Sequence, residues 1–324
     1  MESVAPFRWQ DGERTIRFGQ GAVADGAEDF GEGYALLTTE RTLATAPQLA
    51  DRASQVVHVR SGRVDEIAGE LLDEVGAHGL LVALGGGRVI DTAKAIASAR
   101  GAGTGVAAIP TTLSAAEMTA VHRRAAGAPQ DTPGVRPRIV LNDPALTASQ
   151  PEGELAASAA NALAHAVEGP ATTLASPVPA FAGREAARLI AGAWDGGEPD
   201  RPALALGALL SGWTIDSTWY GLHHVASQTL VRLAGIGHGQ ANAALLPHTI
   251  GALHRRAPDR VDPAMAGVAA ELARRAGATS LQALGVEEDE LTEFAEAAAQ
   301  RPELGLTPPP ADAGELRALY TSAF

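Results

Sequence analysis

The chain of 324 residues contains no cysteine. Disulfides, thiol nucleophiles and thiolate metal sites are therefore excluded, and any metal would have to be held by His, Asp or Glu. Aromatic residues are scarce at 4%, so the core is to be built from Ala, Val, Leu and Ile rather than from large rings. Positive charge is also in deficit: 25 Lys and Arg against 38 Asp and Glu give a net charge of −13. That balance excludes a nucleic-acid partner, because phosphate binding needs a basic face. It likewise gives no general steering to an anionic substrate, which would need local Arg or His. No apolar run approaches the roughly 20 residues of a membrane span, so no membrane partner is expected. The first residues, Met1-Glu2-Ser3-Val4-Ala5-Pro6, lack a basic segment followed by an apolar run. The expectation is a cytoplasmic protein without a signal peptide.

What the chain does have is alternation. Tyr34–Thr39 reads as a strand and Leu43–Ala53 as a helix; Val56–Val59 is a strand, followed by a helix over Val64–Glu74. Gly79–Leu84 is a strand with a helix at Ile90–Ala99, and Val106–Pro110 and Arg138–Leu141 are further strands. Near-continuous apolar strands alternating with helices predict an α/β domain with a parallel sheet covered on both faces. Beyond Asn142-Asp143-Pro144 the pattern turns helical: 154–168, 180–193, 203–216, 219–233, 241–254 and 263–276 all suit helices. The Thr307-Pro308-Pro309-Pro310 stretch reads as a linker before a final short helix. The division expected is an α/β dinucleotide-binding domain over residues 1–147 and an all-α substrate domain over 148–324.

The strand Leu80–Leu84 runs into Gly85-Gly86-Gly87 and then a helix. Free backbone N–H groups and a helix dipole at that turn make an anion site suited to a pyrophosphate. The run is not G-x-G-x-x-G, and glycines also make plain tight turns, so the turn alone leaves both readings open. Asp91 and Lys94, in the first turns of the next helix, form either an i,i+3 surface pair or a ligand-binding pair. After the next strand, Pro110-Thr111-Thr112-Leu113-Ser114 places hydroxyls and amides at another strand C-terminal end, where open α/β sheets bind ligands.

Six of the nine histidines fall between residues 165 and 254. Asn161 and His165 are spaced i,i+4 on one helix face, as are His224 and Gln228; His223 precedes the latter pair, and His238 lies within Gly237-His238-Gly239. A single buried histidine is usually a core residue, but several together point to a metal or substrate site.

Taken in order, these segments resemble the iron-containing alcohol dehydrogenase family, and within it the maleylacetate reductases. The resemblance rests on Gly85-Gly86-Gly87 with Asp91 and Lys94, Pro110-Thr111-Thr112 with Glu117-Met118-Thr119, and Pro137-Arg138 to Asp143-Pro144. It continues through Asn161-Ala162-Leu163-Ala164-His165-Ala166-Val167-Glu168, Gly221-Leu222-His223-His224, His238-Gly239-Gln240-Ala241-Asn242-Ala243 and Leu246-Pro247-His248. It implies a Rossmann-like N-terminal domain and an all-helical C-terminal domain, the dehydroquinate synthase-like fold, in a homodimer.

The resemblance also implies roles. NADH or NADPH would be held by Gly85, Gly86, Gly87, Asp91, Thr111, Thr112 and Leu113. From the residues themselves, Arg88 could pair with the pyrophosphate or the extra phosphate of NADP, or else obstruct the dinucleotide. Glu40, after the strand ending at Thr39, could bind the adenosine ribose and favour NAD, so both cofactors stay open. Metal-dependent members hold Fe2+ or Zn2+ through one Asp and three His; the matching positions are Asn161, His165, His224 and His238. Asn is a poorer ligand than a carboxylate, so a tightly bound metal is not favoured. His165, His223, His224 and His238 are the expected catalytic residues, and Asn161, Arg123, Arg124 and Gln228 the expected substrate contacts. Several positions depart from the family pattern: Arg88 replaces a serine, Gln228 a histidine, and the lysine before Pro137-Arg138 is absent. The expected reaction is NAD(P)H-dependent reduction of a small carboxylated substrate, maleylacetate to 3-oxoadipate. The alternatives are a metal-dependent alcohol dehydrogenase, or a lyase, cyclase or binder of the same fold that has lost redox chemistry.

Overall fold

The computed structural model describes residues 4–324. The chain divides into two compact units, one running to Gln150 and including Arg201–Leu206, the other comprising Pro151–Asp200 and Gly207–Phe324.

The first unit is a seven-stranded sheet. Its strands are β1 (Phe7–Asp11), β2 (Arg14–Phe18), β3 (Tyr34–Thr38), β4 (Ala53–His58), β5 (Leu80–Gly85), β6 (Gly105–Pro110) and β7 (Ile139–Asn142), in the order β1-β2-β7-β6-β5-β3-β4. Its helices are α1 (Ala22–Gly26), α2 (Glu40–Leu43), α3 (Val64–Glu74) and α4 (Gly87–Arg100). β1 pairs antiparallel with β2, and every other pairing is parallel. Successive residues of one strand feed opposite cores, as the two-residue period of a strand requires. Leu81 and Ala83 of β5 pack with Ile67, Ile90 and Ile96 of the helices on one face. Val82 and Leu84 pack with Val23, Phe30 and Leu49 on the other. Each of these Val, Leu, Ile and Phe side chains, fully removed from water, contributes about 1.5–3 kcal/mol.

Two readings need correction here. The helix expected over Leu43–Ala53 is instead the short α2, a 3-10 turn at Pro47–Leu49 and the start of β4. Proline disfavours helical backbone in the residue before it, and Ala46 sits at φ −150°, ψ 62°. The β1–β2 hairpin, turned at Gly12 with φ +59°, was not anticipated.

The second unit is helical: α5 (Glu152–Ala171), α6 (Pro177–Gly192), most of α7 (Arg201–Thr218), α8 (Leu222–Leu233), α9 (His238–Arg256), α10 (Met265–Arg275), α11 (Leu291–Ala299) and α12 (Ala313–Ala323). α5 packs against α6, α9 and α10, and from Ala159 to Ala171 every residue is buried. A helix enclosed on all sides can present polar groups only to other protein groups or to a ligand. The helix expected from Trp219 starts three residues later, because Trp219 adopts φ +56° and Gly221 becomes the N-cap of α8. The proline segment is not a loose linker: Arg256 Nε donates to the carbonyls of Thr307 and Pro309, and the Thr307 hydroxyl accepts from the Leu222 amide. Among the described residues no helix is long and apolar enough to cross a membrane.

Candidate functional site

In the first unit, three expected cofactor segments lie at the C-terminal ends of adjacent parallel strands. β5 stands between β3 and β6, and Gly85 is in register with Pro110. The Thr111 amide donates to the Gly85 carbonyl at 3.1 Å, which ties the two exits together. Gly86 is the extended N-cap of α4 and no side chain caps that helix, so its first amides remain available to an anion. The glycines are needed for loop packing as well: a Cβ on Gly86 would lie 3.0 Å from Thr112 Cγ2, and one on Gly87 would lie 2.9 Å from Ser114 Cβ and Oγ. Arg88 and Glu40 are exposed, Glu40 in the first turn of α2 beyond β3. Leu113 is buried, so its side chain belongs to the core and any cofactor contact would be through its backbone.

Asp91 and Lys94 are not a surface pair. Lys94, the chain's only lysine, is fully buried. Its ammonium donates to Asp91 Oδ1 at 2.8 Å, to the Ala116 carbonyl at 3.0 Å and to the Val121 carbonyl at 2.7 Å. Three donors on one buried cation thus fix the segment that follows β6 over the start of α4. Glu117 is also buried, and burial pushes its carboxyl up to about 7 although Lys94 and Arg14 pull it down. Arg123 and Arg124, expected as carboxylate clamps, lie on the exposed surface near Asp65 and Gln130.

In the second unit, α5, α8 and α9 bring the histidines together. Asn161, His165 and Glu168 share one face of α5 at i, i+4 and i+7, and all are buried. Glu168 accepts from the His223 amide at 2.6 Å and the His224 amide at 3.3 Å, capping α8 from another helix. The same carboxylate lies 2.5 Å from His224 Nδ1. The neutral tautomer that donates Nδ1–H to this carboxylate leaves a lone pair on Nε2. His224 Nε2 is buried with no partner, and so is His165 Nδ1. The two rings are stacked with centroids 4.8 Å apart.

His223 is satisfied differently. Its Nε2 lies 2.8 Å from Asn242 Oδ1 and its Nδ1 2.8 Å from the Thr249 hydroxyl, so both nitrogens are occupied within the protein. Burial and the neighbouring His224 lower His223 to about 3; burial and His238 lower His224 to about 3. Burial and the other imidazoles hold His165 well below its ordinary value, and burial pushes the Glu168 carboxyl up. Gln228 turns its carbonyl oxygen to Arg301 Nη2 at 3.3 Å.

The four positions matching the metal ligands of the family do not fit a divalent cation in this arrangement. Asn161 is neutral, and its Oδ1 already accepts from His238 Nε2 at 3.1 Å and from Asn242 Nδ2 at 3.2 Å. Among the described residues no group of three His, Asp or Glu side chains is placed to hold a metal ion. Glu168 joins the histidines on this face although sequence reading passed over it; its signal is the i+7 spacing from Asn161 on the histidine face of α5.

Known proteins match both units. The family profile described as Fe-containing alcohol dehydrogenase family, C-terminal, matches residues 155–324. The maleylacetate reductase of Rhizobium sp. (strain MTP-10005) is 31% identical over 350 residues, spanning 99% of this chain and 98% of that protein. The crystal structure of maleylacetate reductase from Agrobacterium tumefaciens superposes with a TM-score of 0.84 at 28% identity, covering 99% of each chain. A sulfoacetaldehyde reductase from Bifidobacterium kashiwanohense, solved in complex with NAD+, shares the fold with a TM-score of 0.76 at 23% identity over 98% of each chain. The chain belongs to the Fe-containing alcohol dehydrogenase family and is an oxidoreductase.

Proposed function

We propose that the protein reduces the conjugated C=C bond of a small carboxylated enone, maleylacetate, to give 3-oxoadipate, with NADH as the favoured reductant over NADPH. The observation that carries this reading is the stacked pair His165 and His224, each with a buried ring nitrogen that no protein group satisfies. Buried polar atoms left unpaired cost on the order of 1–3 kcal/mol each, a cost that a polar ligand would relieve.

The uncapped start of α4 with Gly86, Gly87 and Arg88 fits the pyrophosphate of a dinucleotide, and Thr111 and Thr112 follow the adjoining exit of β6. The bound nicotinamide supplies a hydride, two electrons and one proton in a single transfer. Glu40, in the first turn of α2 beyond β3, would serve the ribose hydroxyls and repel a 2′-phosphate, which favours NADH. In the second unit, Glu168 fixes the His224 ring and selects its tautomer, as second-layer carboxylates do for catalytic imidazoles. His224 Nε2 and His165 Nδ1 would face the oxygens of the substrate. An anionic oxygen beside Nε2 favours the protonated ring, so His224 would take up a proton on binding. It would then deliver that proton to the substrate carbon next to the one that receives the hydride. His223, with both nitrogens spent, positions Asn242 and α8 rather than moving protons. Asn161 holds His238 in place. A homodimer is the assembly this reading carries with it.

Chelation separates this reading from metal-dependent alcohol dehydrogenation. Enone reduction that survives EDTA treatment, in protein without stoichiometric Fe or Zn, supports it. Activity lost with the metal and restored by adding it back would contradict it.

A further inference from the structure

Next to the histidine pair, Tyr220 leads to a second unfilled polar group. Its ring lies 5.7 Å from the His224 ring, and its hydroxyl lies 3.4 Å from Arg301 Nη2. Arg301 is mostly buried, with 15% of its side chain exposed. Glu303 holds it on one edge, accepting from Nε at 3.1 Å and from Nη2 at 2.8 Å. Gln228 accepts from the same Nη2 at 3.3 Å. Every acceptor therefore crowds onto the Nε and Nη2 side of the guanidinium. Nη1 is buried and has no partner.

A buried guanidinium N–H pair that is neither solvated nor bonded is costly to leave open. Here the cation is locked in orientation by three side chains, while its remaining N–H groups point at no protein acceptor. The Nε–Nη2 fork is spent on Glu303, so it is the N–H groups of Nη1 that are left to donate to an oxygen of a further carboxylate. The distance of the guanidinium from the reacting imidazole is set by one tyrosine ring.

We propose that Arg301 is the specificity residue for the second carboxylate of a dicarboxylated substrate, with Tyr220, Gln228 and Glu303 positioning its guanidinium. The inference rests on the substrate reading given above and extends it to the group that selects two carboxylates over one. It also accounts for Gln228: a side-chain carbonyl can accept from Arg301, which a protonated imidazole there could not do.

The test uses the full-length protein, wild type and Arg301→Gln, with maleylacetate and with 4-oxopent-2-enoate, the enone that lacks the second carboxylate. Arg301→Gln is expected to raise KM for maleylacetate by about 10²-fold, the scale for losing one side of a buried charge pair. The same change should alter kcat/KM for 4-oxopent-2-enoate less than threefold and leave NADH affinity, read by fluorescence titration, as it is. Equal losses on both substrates, or no loss on either, would overturn the proposal. If Arg301→Gln does not fold, Arg301→Lys, which keeps the charge but not the fork, should show the same selective rise at reduced size. If wild type reduces neither enone, the reaction reading fails, and calorimetry with adipate and hexanoate decides the Arg301 proposal alone. Adipate binding that exceeds hexanoate binding in wild type, and is lost in the variant, supports it. Equal binding of the two acids, or none, overturns it.

Discussion

Glu168 Oε2 lies 2.5 Å from His224 Nδ1, and the same carboxylate accepts the His223 and His224 amides at the start of α8. One buried acid thus caps a helix and sets the tautomer of the imidazole at its end. Glu168→Gln keeps the size but cannot accept at every one of these donors. Its kcat is expected to fall on the order of 10²-fold, the usual scale for a mispositioned acid–base group. Stability should fall by about 1–3 kcal/mol, with NADH affinity unchanged. Loss of stability with unchanged kcat would reduce Glu168 to a helix cap.

Gly87 is fixed by the approach of Ser114, whose Cβ and Oγ lie 2.9 Å from the position of a Gly87 Cβ. Gly87→Ala is expected to weaken NADH binding at least about tenfold and to cost about 1–3 kcal/mol, the scale of overpacking. Ser114→Gly in the same chain should recover much of both losses, whereas Ser114→Ala, which keeps the Cβ, should not. Thermal unfolding and NADH fluorescence read the two effects.

Much of this was legible in the sequence, and the misses have physical causes. β3, β5, β6 and β7 and the helix α3 follow directly from near-continuous apolar runs and from clear amphipathic spacing. The end of the α2 region was misread because Pro47 acts on the residue before it. The turn at Trp219 rests on a left-handed backbone that no residue type there announces. The glycine turn and the Thr111-Thr112 segment stand out in the sequence because strand ends carry ligand sites by topology, and the structure places both at adjacent strand exits. Lys94 was open to reading as a surface residue because i,i+3 spacing cannot show that the Ala116–Val121 segment covers it. Tyr220 and Arg301 stayed hidden because their contacts join positions 81 residues apart.

Glu117 gives the fold a pH dependence of its own. Its carboxyl is raised from 4.5 to about 7, so the folded chain keeps a proton that the unfolded chain has released. This group's contribution to stability therefore declines as pH rises from the unfolded value to the folded one, and stays flat above. Glu117→Gln, which mimics the protonated form, is expected to be more stable than wild type at pH 8, by at most about 3 kcal/mol. The difference should vanish near pH 4. Urea unfolding at pH 4, 6 and 8 measures it, and a variant less stable than wild type at pH 8 contradicts it.

Glu40 sets the cofactor preference in this account. Glu40→Ala is expected to narrow the ratio of kcat/KM with NADH to that with NADPH by about tenfold, because a like charge no longer opposes the 2′-phosphate. An unchanged ratio would place the ribose elsewhere.

The most direct measurement follows NADH absorbance as EDTA-treated, metal-analysed protein is mixed with maleylacetate, with the product identified by mass. The account predicts one NADH consumed per maleylacetate, 3-oxoadipate formed, and a rate that added Fe2+ or Zn2+ does not raise. Oxidation of neither NADH nor NADPH, or oxidation that appears only when metal is restored, would contradict it.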